Sequence, residues 1–201
     1  MNNLYVSISP GNGKMGAIPS VSLPPVITCR PGCPCVRKCY AAKLCRLRPA
    51  VRAAYQRNLD LYKLSPIAYW SAVRSVVALN RFFRFHVSGD ILNAGYFAEM
   101  VRTAEMFPDS YLLAFTKRYE IVNEWINEHG TLPQNMKIIF SAWHGLKMEN
   151  PHGLPVAAVI FKGKQPDPAW KICGENCAEC ACRGVGCWEL ERGETIAFYE
   201  H

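Results

Sequence analysis

The sequence predicts an α/β fold, either a partial (β/α) barrel or a small open parallel sheet, with cysteine-rich loops near the N- and C-termini. Three observations lead to this prediction. Strand patterns alternate with helical patterns in the middle of the chain, which produces a parallel sheet with right-handed crossovers. The strands are too few for a closed eight-stranded barrel. All ten cysteines lie outside this middle region, five at residues 29–45 and five at residues 173–187.

The composition is that of one globular domain. The chain has 201 residues, of which half are hydrophobic and 19% are charged, so it is long enough to bury a core without disulfides. We therefore predict a single domain over 1–201 with a βα scaffold at 49–161. The sequence shows neither a stretch of about 18 apolar residues nor a signal peptide. We expect a cytoplasmic protein that has no membrane partner.

The scaffold elements follow in a regular order. A short first strand is expected near 4–8. Prolines suit the first turn of a helix, so Pro49 and Pro66 begin helices at about 49–63 and 66–79, and Ser65 is a good cap for the second. The elements after residue 88 are a helix at about 94–106, a strand at 111–116, a helix at about 119–128, and strands at 137–142 and 156–161.

Residues 81–88, RFFRFHVS, alternate with the period of a strand. The alternation places Phe83, Phe85 and Val87 on one face. It places Arg84, His86 and Ser88 on the other, and such a polar face inside a barrel would suit a polar ligand. For His86 the alternative is a core histidine satisfied by hydrogen bonds.

Residues 11–16, GNGKMG, have the spelling of a dinucleotide-binding fingerprint, which requires a helix directly afterwards. The sequence that follows, IPSVSLPP, cannot form a helix. We therefore interpret residues 11–16 as a glycine-rich turn.

The cysteines indicate metal ligation, because thiols stay reduced in a cytoplasmic protein. Thiolates this close together need a soft cation or an iron–sulfur core to accept their charge. Zinc sites usually contain two Cys-x2-Cys pairs, whereas this chain has one. Iron–sulfur clusters are therefore favoured, with structural zinc as the alternative. The predicted metal ligands are Cys29, Cys33, Cys35, Cys39, Cys173, Cys177, Cys180 and Cys187, with Cys45 and Cys182 as replacements.

The positive charge is concentrated beside the first cysteines. Residues 30–63 contain nine basic residues and one acid, Asp60, while the whole chain has a formal net charge of +7. This patch could bind nucleic acid or another polyanion, balance an anionic metal–thiolate cluster, or form a solvated helix face. The last two are favoured, because no DNA- or RNA-binding module accompanies the patch. The basic residues are Arg30, Arg37, Lys38, Lys43, Arg46, Arg48, Arg52, Arg57 and Lys63.

Ligand sites of parallel sheets gather at the carboxyl ends of the strands. The polar residues that follow the predicted strands are therefore candidates for the rim of a pocket. They lie at 88–90 (Ser-Gly-Asp), at 116–117 (Thr-Lys) and at 141–144 (Ser-Ala-Trp-His).

Two features resemble the radical S-adenosylmethionine superfamily: an aromatic residue after the last loop cysteine, in Cys39-Tyr40, and a strand that ends in Ser88-Gly89-Asp90. GKMGAIPSVSLPP, Cys-Tyr-Ala, FRFHVSGD and a terminal Cys-Trp together resemble, more closely, a phage-borne, radical-SAM-like family of unknown function (gene-product-88-like). The resemblance covers most of the chain. It implies one [4Fe–4S] cluster at each cysteine loop, with Ser88, Gly89 and Asp90 as the residues that contact S-adenosylmethionine.

The spacing of the first loop departs from the superfamily's Cys-x3-Cys-x2-Cys and leaves the chemistry open. If Cys29, Cys33 and Cys39 ligate alone, one iron is free to coordinate S-adenosylmethionine, and the protein is a radical enzyme on an unknown substrate. If Cys35 also ligates, the cluster only carries electrons or supports the structure. The alternatives to redox or radical chemistry are a zinc- or iron-pinned nucleic-acid-binding module and a simple electron carrier. The redox functions imply an electron donor.

Overall fold

The computed structural model describes residues 5–174 and 176–200, and its centre is an open sheet. Eight strands form this sheet in the described part of the chain: β1 Ile8–Ser9, β2 Ser20–Val21, β3 Phe82–Phe85, β4 Tyr111–Thr116, β5 Met136–Ser141, β6 Val156–Ile160, β7 Lys171–Ile172 and β8 Thr195–Tyr199. Their order is β1-β2-β3-β4-β5-β6-β8-β7. Only β1 and β2 pair antiparallel. The predicted α/β class is confirmed, and the sheet is open rather than closed into a barrel.

Six α-helices accompany the sheet in the same described residues. They are α1 Tyr40–Leu47, α2 Pro49–Leu64, α3 Pro66–Val77, α4 Ala94–Met106, α5 Tyr119–His129 and α6 Cys177–Arg183. The four helices predicted in the scaffold are confirmed, and the Ser65 hydroxyl accepts a hydrogen bond from the Ala68 amide at 3.2 Å, as a helix cap does. The other two helices lie inside the cysteine segments. None of the described helices is both long enough and apolar enough to cross a membrane.

The two faces of the sheet are covered differently. One face packs against α2, α3, α4 and α5 around a core that includes Trp70, Tyr96 and Phe97. The opposite face packs against the C-terminal cysteine segment, where Trp188 and Leu190 are buried. Because both faces are covered, the central strands β4 and β5 are apolar at nearly every position.

His86 lies on a different face from the one that the alternation predicts. β3 ends at Phe85, and His86 has a φ of 56° in the left-handed region, which turns its ring toward the helix side. The ring is buried there, with Nε2 3.1 Å from the Tyr96 hydroxyl. Arg84 and Val87 lie on the opposite side, near the C-terminal segment. The predicted polar face is therefore wrong, and His86 is a core histidine.

Several strands were not predicted from the sequence. β2 lies in the segment IPSVSLPP, for which the sequence predicted only that no helix forms. β7 and β8 extend the sheet beyond the predicted scaffold. The predicted strand at 4–8 begins at Leu4, which lies outside the described residues, and β1 itself begins at Ile8. These additions complete the sheet without closing it.

The buried His86 predicts a pH dependence of stability. Burial lowers the pKa of His86 to about 3 in the folded protein, below its ordinary value of 6.5. The unfolded chain therefore binds a proton that the folded chain rejects, and the free energy of unfolding falls as the pH drops below 6.5. The His86→Asn variant removes the imidazole that binds this proton, and asparagine tolerates the left-handed φ.

Below pH 6.5, the free energy of unfolding of wild type should fall relative to that of His86→Asn. The slope of this difference should approach about 1.4 kcal/mol per pH unit. Urea denaturation at pH 7, 6 and 5 measures it. A difference that is independent of pH would contradict a neutral buried ring.

Candidate metal centres

The N-terminal cysteine loop is bent by residues that favour tight turns. Gly32 has a φ of 68°, and a short 3-10 helix follows at Pro34–Lys38. At its end the Cys39 sulfur accepts a hydrogen bond from the Ala42 amide, 3.4 Å away, and so caps α1. The bends return the chain on itself, so that cysteines separated by up to ten residues come together.

Four thiols of this loop are neighbours. The sulfurs of Cys33 and Cys35 lie 3.0 Å apart. Burial, together with the neighbouring Cys33 and Cys29 thiols, raises the pKa of Cys35 to about 12. Burial also raises the pKa of Cys29 to about 11, and Cys39 contributes to the increase. We call Cys29, Cys33, Cys35 and Cys39 the N-terminal group.

The N-terminal group lies at the carboxyl ends of β3 and β4. Arg30, inside the loop, donates to the Lys117 carbonyl at 3.4 Å and pairs with Glu120 at 3.8 Å. Lys117 also lowers the pKa of Cys29 against the effect of burial. The predicted pocket rim at 116–117 is therefore adjacent to the cysteine loop.

Asp90 connects the two strand ends. Its carboxylate accepts hydrogen bonds from the Thr116 hydroxyl at 2.6 Å and from the Lys117 and Ile91 amides at 2.9 and 2.8 Å. The side chain is buried, and burial raises its pKa against these hydrogen bonds. The negative charge of Asp90 also raises the pKa of Cys29. Asp90 thus faces the cysteine loop while it holds β3 and β4 together.

Ser88 and Gly89 anchor the segment that leads into the loop. The Ser88 hydroxyl donates to the Leu23 carbonyl at 3.0 Å. Gly89 has a φ of 80°, and a Cβ there would lie 2.6 Å from the Thr28 hydroxyl oxygen and 2.7 Å from the Leu23 Cβ. Only glycine fits so close an approach. The contact that we predict between residues 88–90 and S-adenosylmethionine stays a prediction, because both polar side chains already bind within the protein.

The glycine-rich turn predicted at 11–16 is confirmed, and it holds the other cysteine segment. Asn12 and Gly16 pair across the turn. The Cys177 and Ala178 amides at the start of α6 donate to the carbonyls of residues 14 and 15 at 3.0 and 3.1 Å. A Cβ on Gly16 would lie 2.5 Å from the Ala178 Cβ. The sequence did not reveal this contact, because it joins segments about 160 residues apart.

Four thiols also come together in the C-terminal segment. Burial, together with the charges of Cys173, Cys177 and Cys180, raises the pKa of Cys187 to about 12. Cys182, on the same helix as Cys177 and Cys180, is exposed. We call Cys173, Cys177, Cys180 and Cys187 the C-terminal group. All four pack in the hydrophobic cluster of the opposite sheet face, and metal ligation by either group of four stays a prediction.

The donor chemistry of each group fits an iron–sulfur cluster. Four thiols are the usual ligands of a [4Fe–4S] cluster. Within residues 5–174 and 176–200, no three Cys, His, Asp or Glu side chains form a ready-made site for a single ion. The buried Arg84 Nε, which has no hydrogen-bond partner in the described chain, adds a donor beside the C-terminal group.

The basic patch forms an exposed surface on α1 and α2. Arg30, Lys38 and Arg57 are engaged, with Glu120, Glu200 and the Ser7 hydroxyl respectively. The others point into solvent and have no side-chain hydrogen bond or ion pair with the described residues. We call the five nearest the N-terminal group the basic surface: Arg37, Lys43, Arg46, Arg48 and Arg52.

Comparison with known proteins gives one match. A family model described as Gene product 88 matches residues 6–192, which include every cysteine of both groups. No curated protein and no solved structure matches the chain.

The Asp90 network predicts a specific loss of stability. In the Asp90→Asn variant, one carboxylate oxygen becomes an amide nitrogen, so one of its three donors loses its acceptor. We expect the apoprotein to lose about 1–3 kcal/mol of unfolding free energy, measured by urea denaturation. The control is Asp109→Asn, at an exposed position, which should change stability by less than about 0.5 kcal/mol. Equal losses in the two variants would contradict a structural role for Asp90.

Proposed function

The chain belongs to the gene product 88 family, and we propose that it is an iron–sulfur protein that binds two [4Fe–4S] clusters and carries out redox or radical-SAM-like chemistry on an unknown substrate. One observation supports the proposal: eight of the ten cysteines lie in two separate groups of four, one at the carboxyl edge of the sheet and one packed on its face. None of the ten cysteines forms a disulfide in the described chain, which suits a reducing compartment such as the cytoplasm.

The N-terminal group would hold the first cluster through Cys29, Cys33 and Cys39. The Cys33 and Cys35 sulfurs are only 3.0 Å apart, which is closer than ligands of two different irons stand. One of the two is therefore left over, and the superfamily resemblance favours Cys35 as the spare. This arrangement leaves one iron open to a small ligand.

S-adenosylmethionine is the ligand that the superfamily resemblance implies. Cys29, Cys33 and Cys39 would hold a cluster with one open iron, which would supply the electron for reductive cleavage of a carbon–sulfur bond of this cofactor. In the chain, Ser88, Gly89 and Asp90 lie next to the cysteine loop, and the Asp90 carboxylate could orient an amino group through its free lone pairs. Lys117 places a positive charge on the same edge.

The C-terminal group would hold a second cluster with all four irons ligated by Cys173, Cys177, Cys180 and Cys187. Such a cluster transfers electrons but has no open position for a substrate. If the first cluster were closed as well, the protein would be a simple electron carrier. Cleavage of S-adenosylmethionine by the reduced protein distinguishes an enzyme from a carrier.

A second candidate function is nucleic-acid binding by a metal-pinned module. The basic surface supports it, because five exposed cations lie on neighbouring elements without ion-pair partners among the described residues. Cations of this kind release counterions when they neutralise phosphates, so affinity depends steeply on salt. The basic surface and the clusters could also act together, with the nucleic acid as substrate.

Metal and sulfide analysis of protein prepared without oxygen tests the first proposal. We expect about eight irons and eight sulfides per chain, the sum of two four-iron clusters. About one or two zincs without sulfide would contradict it and indicate a structural zinc protein.

Two matched pairs of variants identify the ligands. Cys33→Ala and Cys180→Ala should each reduce the content to about four irons. Cys35→Ala and Cys182→Ala, two residues away in each segment, should keep the wild-type content. Loss of iron in both Cys33→Ala and Cys35→Ala would show that the first cluster is closed, and loss in Cys35→Ala alone would make Cys33 the spare.

Charge reversal tests the nucleic-acid candidate. If the basic surface contacts four phosphates, wild-type affinity for a single-stranded oligonucleotide should fall about 50-fold between 50 and 200 mM salt. Arg46→Glu/Arg52→Glu should bind at least about ten-fold more weakly than wild type and show a shallower salt slope. Fluorescence anisotropy measures both quantities.

The control, Arg81→Glu/Arg102→Glu, makes the same charge change at two exposed positions outside the patch. Equal weakening in both variants would count against a specific surface.

A further inference from the structure

Arg84 is a charged residue in an apolar strand, and its side chain lies on the face of β3 that packs against the C-terminal segment. Its Nη1 atom is 4.0 Å from the Cys177 sulfur. Its guanidinium carbon lies over the Phe115 ring, 4.7 Å from the ring centroid. These contacts hold the guanidinium group between the Phe115 ring and the Cys177 sulfur.

No carboxylate in residues 5–174 or 176–200 forms an ion pair with Arg84. Its Nε is buried and has no hydrogen-bond partner there. A half-buried cation with an unsatisfied donor gains from a nearby negative charge. The Cys177 sulfur, which it contacts, carries such a charge when it is a thiolate. The sequence separation between Arg84 and Cys177 is 93 residues, so the fold alone creates this pairing.

Arg84 affects the pKa values of one residue in each cysteine segment. Burial raises the pKa of Cys187, and Arg84 is the cation that opposes this shift. Arg84 likewise opposes the increase that burial causes in the pKa of Tyr40, the residue after Cys39. The Tyr40 hydroxyl in turn donates to the Val87 carbonyl, just beyond β3. Arg84 thus acts electrostatically on one residue beside each cysteine group, Cys187 and Tyr40.

We infer that Arg84 is a positioning residue that holds a fixed positive charge against the C-terminal cysteine group and raises the reduction potential of the cluster bound there. The inference rests on the proposed iron–sulfur function. Reduction adds one electron, and so one negative charge, to a cluster that four thiolates already make anionic. A nearby cation in a site of low dielectric stabilises the reduced form more than the oxidised form.

The test is a redox titration of the two-cluster protein, with dithionite as reductant, dye mediators and detection by electron paramagnetic resonance. The Arg84→Gln variant removes the charge and keeps a polar side chain. We expect the C-terminal cluster of this variant to be at least ten-fold less reduced at the wild-type midpoint potential, a shift of about 59 mV to more negative potential for one electron. The N-terminal cluster should shift less. Cys33→Ala, which lacks the first cluster, assigns the two signals.

Two further variants separate charge from packing. Arg81→Gln makes the same substitution next to the opposite end of β3, where the side chain is exposed, and should leave both potentials unchanged. Arg84→Lys keeps the charge and should stay near the wild-type potential. Arg84→Gln could fail to retain the second cluster, and Arg84→Lys then decides. If Arg84→Lys retains the cluster at the wild-type potential, the inference is supported. If both variants lose the cluster, the inference is overturned, because Arg84 then has a packing role.

The outcomes also distinguish this inference from the proposed function. If wild type binds both clusters and Arg84→Gln has an unchanged potential, the inference is overturned and the iron–sulfur function stands. If wild type binds no cluster at the C-terminal group, the proposed function fails and the inference fails with it. A shift of the same size in Arg81→Gln would overturn the inference, because it would show that general charge, and not the contact with Cys177, sets the potential.

Discussion

The central strands β4 and β5 must be buried on both faces, and the rest of the architecture depends on this constraint. Residues such as Leu112 and Leu113 point to opposite sides of the sheet, and both are almost fully buried. Four helices cover one side only. The C-terminal segment therefore has to cover the other, with Trp188 and Leu190 as its apolar contacts. This requirement places the C-terminal cysteine group against the sheet instead of in solvent.

The N-terminal group is held by polar contacts. Asp90 accepts three hydrogen bonds from residues at the ends of β3 and β4, while Ser88 and Gly89 pack under the chain that enters the cysteine loop. A buried carboxylate with satisfied acceptors is rigid. The same turn therefore supports the scaffold and fixes the loop at the sheet edge where ligands of parallel α/β proteins bind.

One strand serves both cysteine groups. β3 carries Arg84 on the face that meets the C-terminal group, and the turn after it carries Asp90 beside the N-terminal group. A cationic side chain and an anionic one thus lie six residues apart, each next to a different set of thiols. In the proposed function, this strand and the turn after it would fix the local charge around both clusters.

The sequence by itself determined the features that depend on neighbouring residues. Pro49, Pro66 and Ser65 marked helices α2 and α3. The alternation at 81–88 and the apolar runs at 111–116, 137–142 and 156–161 marked β3 to β6, and the dense cysteine spacing marked two segments as candidate metal sites. Helices α1 and α6, strands β7 and β8, and the left-handed His86 escaped prediction, because their stability comes from tertiary contacts that leave no local pattern. Only the tertiary structure decided that Arg84 meets Cys177 and that Asp90 faces Cys29, since each pair is joined by packing across the fold and not by proximity in the chain.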